Sequence, residues 1–424
     1  MMNVDEFLRQ DCNRRKFLEN SARNAAGVAA GFVGLGAAGT AGATPGERIN
    51  AGVIGVRSQG KTLALHLAGM PDVCVRTVCD VHESVVEETR REAAEVQGSP
   101  PGSVGDYRRM LDDDEIDVVV VATPDHWHAQ MVEDACAAGK DVYVEAPVSH
   151  TVSEGVRICE AARETGRIVQ CGLQQRSGAH FRSAIEAVCS GEIGTVRLAK
   201  AWVVHRRKPI GRKAGGPAPD GIDYTAWLGP AAEREFTPNR FHHNWQWFWE
   251  YGSGELGAWG VHLLDVARWG LGVGLPVRVS ATGGIHHFQD ERETPDTLSV
   301  QYSFPQASLV WEHRQWSNHG VEGRSAAVAF YGDNGTLIVD RGGWKIYGRR
   351  DSLTADSSEL QGAHLRDFVR SVRTREAPSA TIEIGHLSTT LCHLGNIAYR
   401  VGREVTFDPA GMNFGWDGEA NSLL

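Results

Sequence analysis

The run Ile116–Ala122 is almost uninterrupted valine, and it constrains the fold more than any other feature of the chain. A strand that is apolar at every position, not at every second one, must be covered on both faces. Parallel sheets flanked by helices provide that cover. Around this run, strand and helix patterns alternate. Ile49–Val56, Val73–Cys79, Asp141–Glu145 and Arg167–Cys171 read as strands. Thr62–Gly69, His82–Gln97, His126–Gly139 and Val152–Thr165 read as helices. Repeated βα units of this kind predict a doubly wound parallel sheet.

After Gly172 the character changes. A helix over Gly178–Ser190 leads to a strand at Thr195–His205, a long Gly/Pro/basic loop and a helix centred on Leu256–Trp269. Short β runs follow at Val277–Ile285, Thr297–Phe304, Ala307–His313, Ala326–Tyr331, Thr336–Asp340 and Lys345–Gly348. Helices over about Gly362–Val372 and Ile384–Val401 close the pattern. The expected class is α/β: a Rossmann dinucleotide-binding domain over residues 44–172, then an α+β domain over 173–424 with a large, open, mostly antiparallel sheet.

The N-terminus reads as an address, not as part of the fold. Asn13-Arg14-Arg15-Lys16-Phe17-Leu18 is a twin-arginine export pattern, followed by an Ala/Gly-rich stretch from Asn24 to Gly42 without an acidic residue. Ala41-Gly42-Ala43 is a small-x-small cleavage site, so residues 1–43 are expected to be removed and the mature chain to start near Thr44. An ordinary amphipathic helix is the other reading, but the glycine content disfavours it. Export to the periplasm or beyond by the twin-arginine machinery is expected, with no permanent membrane span. That route carries folded proteins, which suits a tightly bound cofactor loaded before export.

The 424 residues carry 43 Lys+Arg against 53 Asp+Glu, a net charge of -10, which argues against nucleic acid as the main partner. His205-Arg206-Arg207-Lys208 is a local basic run, either a solvated loop or the wall of an anion or polyol site. The eight cysteines are scattered, without CxxC or zinc spacing, and no metal site is expected. They read as small buried hydrophobes.

The first βα turn, Gly55-Val56-Arg57-Ser58-Gln59-Gly60, is the candidate pyrophosphate site. Gly55 permits the turn, Gly60 lets the helix approach the strand, and free N–H groups at the helix start face the phosphates. Arg57 replaces the middle glycine of GxGxxG. Asp80 ends the next strand, near the ~20-residue offset of a ribose-binding carboxylate. That role favours NAD over NADP; capping the next helix is the alternative. Arg57 offers a charge to a phosphate, so both cofactors stay open. Ala122-Thr123-Pro124-Asp125-His126-Trp127-His128 follows the valine strand and falls beside the crevice, with Asp125 a candidate helix cap. The His126-Trp127-His128 spacing lacks a third metal ligand.

Together with Val144-Glu145-Ala146-Pro147 and Gly257-Ala258-Trp259-Gly260-Val261-His262-Leu263-Leu264-Asp265, this turn resembles the Gfo/Idh/MocA family of nicotinamide-dependent sugar and cyclitol oxidoreductases. The segments His205–Gly211, Tyr224–Pro230 and Asp417–Asn421 resemble loops of exported members. The resemblance implies that Thr123, Pro124 and His126 line the nicotinamide ribose region, and that Glu145 bonds that ribose. It also implies that Pro147 shapes the turn and that Gln174 and Arg176 approach cofactor and substrate. It implies a homo-oligomer as well. The family's Glu-Lys-Pro lysine is Ala146 here, and its aspartate four residues before the histidine is Ala258. His262 is left as candidate general base, since its unperturbed pKa lies near neutrality. Asp265, one turn on, is placed to orient the ring. The leading expectation is an oxidoreductase acting on a sugar, sugar acid or cyclitol. An NAD-dependent glycoside hydrolase or lyase and a non-catalytic binding protein are the alternatives. In Asn244–Gly252, Trp245, Trp247 and Trp249 share a face if the segment is extended, either as core or as a sugar platform.

Overall fold

The computed structural model describes residues 48–349 and 351–424. The expected export signal at residues 1–43, and Cys12 within it, lie outside the described residues. The first sheet contains β1 (Ile49–Ile54), β2 (Val73–Cys79), β3 (Gly102–Val104), β4 (Val118–Val121), β5 (Asp141–Val144) and β6 (Val169–Cys171). Its order is β3-β2-β1-β4-β5-β6, with every pairing parallel. The valine strand behaves as its composition demands. Val118 and Val120 enter one apolar core, and Val119 and Val121 enter the core on the opposite face. Burying each such side chain stabilises the fold by roughly 1.5–3 kcal/mol.

Helices Gln59–Ala68, Glu83–Gln97, Asp125–Ala137 and Val152–Thr165 connect these strands. Helix Val152–Thr165 starts at a reciprocal cap between Thr151 and Glu154 and stops at left-handed Gly166. Strand β3 and the short helix Tyr107–Leu111 carry no periodic signal, since each is too short to repeat one.

The second sheet holds β7 (Val196–Val204), β8 (Arg278–Gly284), β9 (Thr297–Ser303), β10 (Ser308–Arg314), β11 (Ala326–Gly332), β12 (Gly335–Asp340), β13 (Gly343–Tyr347), β14 (Ser352–Thr354) and β15 (Val405–Thr406). Its order is β14-β13-β12-β11-β7-β10-β9-β8-β15, and only β7 and β10 pair in parallel. The helices Ala179–Cys189, Val261–Leu271 and Ile382–Val401 pack on it. Helix Ile382–Val401 also packs on β6 and on helix Val152–Thr165, so one continuous apolar core runs beneath both sheets.

Between β7 and helix Val261–Leu271, the chain folds back onto the first sheet. The Glu83 N–H donates to the Gly221 carbonyl (3.0 Å), and the Asp223 N–H donates to the Val81 carbonyl (2.9 Å). This segment has its own aromatic core of Trp227, Phe236, Phe241, Trp247, Phe248 and Tyr251. Two expectations fail here. His242–Trp247 is a tight 3-10 turn, so the tryptophans do not alternate along a strand: Trp247 is core, while Trp245 lines a cleft. The basic run is not a cleft wall, and of its residues Arg206 and Lys208 are exposed as a solvated loop would be. His205 and Arg207 both bind the fully buried Glu255 carboxylate, at 2.9 Å and 2.9–3.1 Å, because that charge needs partners.

Candidate active site

A cleft of about 1400 Å³ opens where the strand order reverses between β1 and β4. The carboxyl ends of β1, β2, β4 and β5 feed it through Gly55, Asp80, Thr123 and Glu145, and Gln174 enters just after β6. Ligands of open α/β sheets bind at such a switch point. The volume exceeds the ~300–1,000 Å³ of ordinary small-ligand sites, leaving room for a dinucleotide and a second molecule.

The glycine turn is a backbone cradle. Gly55 has φ +79°, which side chains rarely adopt, and a Cβ on Gly60 would lie 1.7 Å from the Gly55 carbonyl oxygen. The positive φ that follows falls on Ser58 (φ 43°), not on Arg57, so an arginine is tolerated where the motif has its middle glycine. The Arg57 guanidinium turns to His242 Nε2 (3.1 Å) and His82 Nδ1 (3.4 Å), whose rings stack 5.3 Å apart. Ser58 Oγ lies 3.4 Å from His243 Nε2. Burial first, and the Arg57 charge second, push the His242 pKa down to about 3. Asp80 accepts the Val56 N–H (2.9 Å) and the His82 N–H (3.1 Å) beneath the turn, and burial raises its pKa.

Further along the cleft, Gln59 Nε2 donates to Glu145 Oε1 (3.0 Å) and to Gln361 Oε1 (3.3 Å), and Gln174 Nε2 donates to the same Gln361 oxygen (3.2 Å). Burial raises the Glu145 pKa against the hydrogen bonds from Gln59, the Ala146 N–H and Tyr143. Thr123 and Pro124 line the cleft, and Pro124 caps the following helix. His128 sits between the Thr123 carbonyl (2.8 Å from Nε2) and the Pro147 carbonyl (2.7 Å from Nδ1), tying the two strand-end loops together. Pro147 follows a cis peptide and supports the site from behind this bond.

Four candidate side chains are committed to other partners. His126 turns from the cleft to the Trp227 carbonyl (3.1 Å) and packs against the Trp227 and Tyr251 rings. Its helix face is claimed by the aromatic core. Asp125 is the first residue of that helix, not its cap; it is buried and accepts from Ser253 Oγ (2.9 Å). Burial pushes its pKa up to about 8. Asp265 does not orient His262. It is fully buried and receives Arg176 Nε (2.7 Å) and Nη2 (2.9 Å), with Ser388 Oγ at 2.7 Å. A two-pronged guanidinium outcompetes a neighbouring imidazole. Burial works against the Asp265 charge, yet the Arg176 charge beside it holds its pKa below the usual range. Arg176 is committed to that pair and to the Trp269 ring (4.8 Å), and it lines no part of the cleft.

At the far end, Ala146, Ala258, Trp259, His262 and Arg341 line the cleft together with Glu145. Residues Leu256–Gly260 form a π-helical turn ahead of the His262 helix, a feature that favours functional sites. His262 Nδ1 has no hydrogen-bond partner among the described residues. Burial, then the Arg341 charge, lowers the His262 pKa to about 3, far from the neutrality its type suggested. Arg341 and Gln361 gave no sequence signal: each belongs to an ordinary polar stretch, and only the fold brings them here. Among the described residues no cluster could hold a metal ion, and no helix is long and apolar enough to cross a membrane.

Fold and cleft together define a dinucleotide-binding α/β protein. Residues 49–173 match the sequence profile of the Gfo/Idh/MocA oxidoreductase family's NAD-binding Rossmann fold. Residues 203–304 and 351–424 match that family's C-terminal alpha/beta domain. The chain therefore belongs to the Gfo/Idh/MocA oxidoreductase family. Among curated relatives, it is 28% identical to the uncharacterized oxidoreductase YrbE of Bacillus subtilis over 43% of this chain and 49% of that protein. It is 28% identical to the alpha-N-acetylgalactosaminidase of Shewanella oneidensis over 40% of this chain and 39% of that protein. The chain thus spans half or less of the length of these relatives. A solved levoglucosan dehydrogenase, in complex with NADH and levoglucosan, has the same fold at TM-score 0.66 and 18% identity, over 85% of this chain and 99% of that one.

Proposed function

We propose that this protein transfers hydride between a tightly held nicotinamide cofactor and a carbohydrate or cyclitol. The observation that carries this reading is the single cleft with a backbone cradle at one end and Glu145 and His262 at the other. Gly55, Ser58 and Gly60 would receive the pyrophosphate, with Arg57, His242 and His243 above it. Asp80 would take the adenosine ribose, which favours NAD; Thr123, Pro124, Glu145 and Gln174 would surround the nicotinamide riboside. When bound, the nicotinamide ring accepts or returns a hydride.

The partner reaction moves a hydroxyl proton, and this needs a base. Among the imidazoles lining the cleft, His128 is held between two carbonyls, and His242 and His243 stand at the phosphate end. His262 remains, uncharged, with Nδ1 buried and unpartnered among the described residues. The return of residues 221–243 over the first sheet covers the cofactor cradle, which supports slow cofactor release. The test is the absorbance of the bound nicotinamide in natively purified protein as single sugars and cyclitols are added. If none changes the reduced-nicotinamide band, net dehydrogenation is wrong.

The relative named alpha-N-acetylgalactosaminidase favours a second reading, glycoside cleavage through transient oxidation. Release of a chromogenic aglycone with no net cofactor reduction distinguishes it. Export by the twin-arginine route and self-association also belong to this proposal. The first rests on Arg14-Arg15 and Ala41-Gly42-Ala43; retention of an Arg14→Lys, Arg15→Lys double variant in the cytoplasm would support it. The second rests on the exposed Leu198, Tyr347 and Leu353 of the large sheet; a monomeric mass by light scattering would sink it.

A further inference from the structure

We propose that the substrate end of the cleft is built for a sugar acid, with Arg341 receiving its carboxylate. This rests on the oxidoreductase reading of the same cleft and narrows its substrate class.

Arg341 occupies the two-residue turn between β12 and β13, where Asp340 pairs with Gly343. The turn is fixed. The Asp340 carboxylate accepts the Gly342 N–H (2.8 Å) and an ion pair from Arg324, and its carbonyl lies 3.2 Å from His180 Nε2. Asp340 is thereby occupied and does not neutralise its neighbour. The Arg341 guanidinium lies 4.9 Å over the Trp259 ring, so its position is also set from the side. Among the described residues it has no hydrogen bond and no carboxylate within ion-pair distance, yet it lines the same cleft wall as Ala146, Ala258 and His262.

Charge accounting leads to the ligand. The nearest acid along this wall is Glu145, whose oxygens already accept from Gln59, Tyr143 and the Ala146 N–H. Asp265 is consumed by Arg176, and Asp125 by Ser253. Ala146 and Ala258 add no charge. Arg341 is exposed to the cleft and feels the Glu145 charge without bonding that carboxylate, so its donors are open to a ligand, and an oxidised nicotinamide would add a second positive charge nearby. A ligand carrying one carboxylate removes the imbalance. The planar fork of arginine matches carboxylate geometry at two oxygens. Such a ligand also relieves the Arg341 charge that disfavours a proton on His262, so substrate binding itself would make His262 a better base.

The experiment is calorimetric titration of the cofactor-loaded protein with D-glucuronate, D-galacturonate and D-gluconate, each against its neutral counterpart D-glucose, D-galactose or D-glucitol. The nicotinamide absorbance is read in parallel. At least one acid is expected to bind tenfold or more tightly than its neutral counterpart. Arg341→Gln should erase that preference while the protein keeps its bound nicotinamide, and Arg341→Lys should restore part of it. Equal binding of acid and neutral forms, no binding of any acid, or an acid preference surviving Arg341→Gln would each overturn the inference. The two readings separate cleanly. A neutral sugar that alone changes the absorbance keeps the redox reading and sinks the carboxylate site. An acid bound through Arg341 without any absorbance change does the reverse.

Discussion

The two ends of the cleft are built from different materials. The cofactor end is mostly backbone: a turn from Gly55 to Gly60, strand ends, and helix-start N–H groups contributed by a few contiguous segments. The end proposed for the substrate is mostly side chains. Glu145, the Trp259–His262 turn, Arg341 and Gln361 come from four separate places in the sequence. A backbone site tolerates Arg57 at a motif position, because the cradle needs only the turn. A side-chain site loses its chemistry when a lysine position becomes Ala146, and must recover it from elsewhere in space.

The sharpest way to break this contrast is at Gly60. A Cβ there meets a backbone oxygen at 1.7 Å, and backbone cannot step aside. Gly60→Val should yield protein without bound nicotinamide, measured by absorbance after native purification; full occupancy would refute the backbone cradle. At the other end, His262→Ala should lower kcat by about 10²–10⁴-fold with nicotinamide content unchanged, since His262 makes no part of the cradle. Cofactor loss instead would merge the two ends.

Arg176→Ala tests the boundary between site and scaffold. It leaves the Asp265 carboxylate buried beside Ser388 and Arg268 alone, which should cost about 3–5 kcal/mol of stability. Thermal unfolding should show the loss, while the bound-nicotinamide spectrum stays that of the unaltered protein. A changed spectrum at unchanged melting temperature would return Arg176 to the cofactor.

Per pH unit, the smallest expected effect is a pH dependence at Asp125. Its carboxyl keeps its proton to about pH 8 when folded but releases it near 3.8 when unfolded, with burial the chief cause. Between those values the folded state binds the extra proton, so stability falls as pH rises, by up to about 1.4 kcal/mol per pH unit. Asp125→Asn should flatten the fall in melting temperature between pH 5 and 8. An unchanged slope would mean that Asp125 is charged in the fold.

The sequence was most legible where local pattern and global need coincide. The valine strand could only be central, and the β runs from Arg278 to Tyr347 lie within two residues of their expected ends, because alternation is a local property. Gly55, Gly60 and Asp80 follow from strand ends, which the same pattern locates, whereas Thr123, Pro124 and Glu145 come from the family resemblance. Side-chain direction was less legible. His126 sits between cleft-lining positions, yet it faces an aromatic core that only long-range packing creates, and Asp125 beside it is claimed by Ser253. Asp265 stands one turn from His262, and spacing alone could not reveal an arginine 89 positions away with a stronger claim.

By itself, then, the sequence determined the two-sheet architecture and the glycine turn that ends the first strand, since periodicity and glycine geometry are written locally. Tertiary structure alone decided that Arg176 takes Asp265, that the tryptophan run is a turn, and that Arg341 lines one cleft with Ala146. Those outcomes depend on which distant charges and rings reach one another first, and no local pattern encodes that competition.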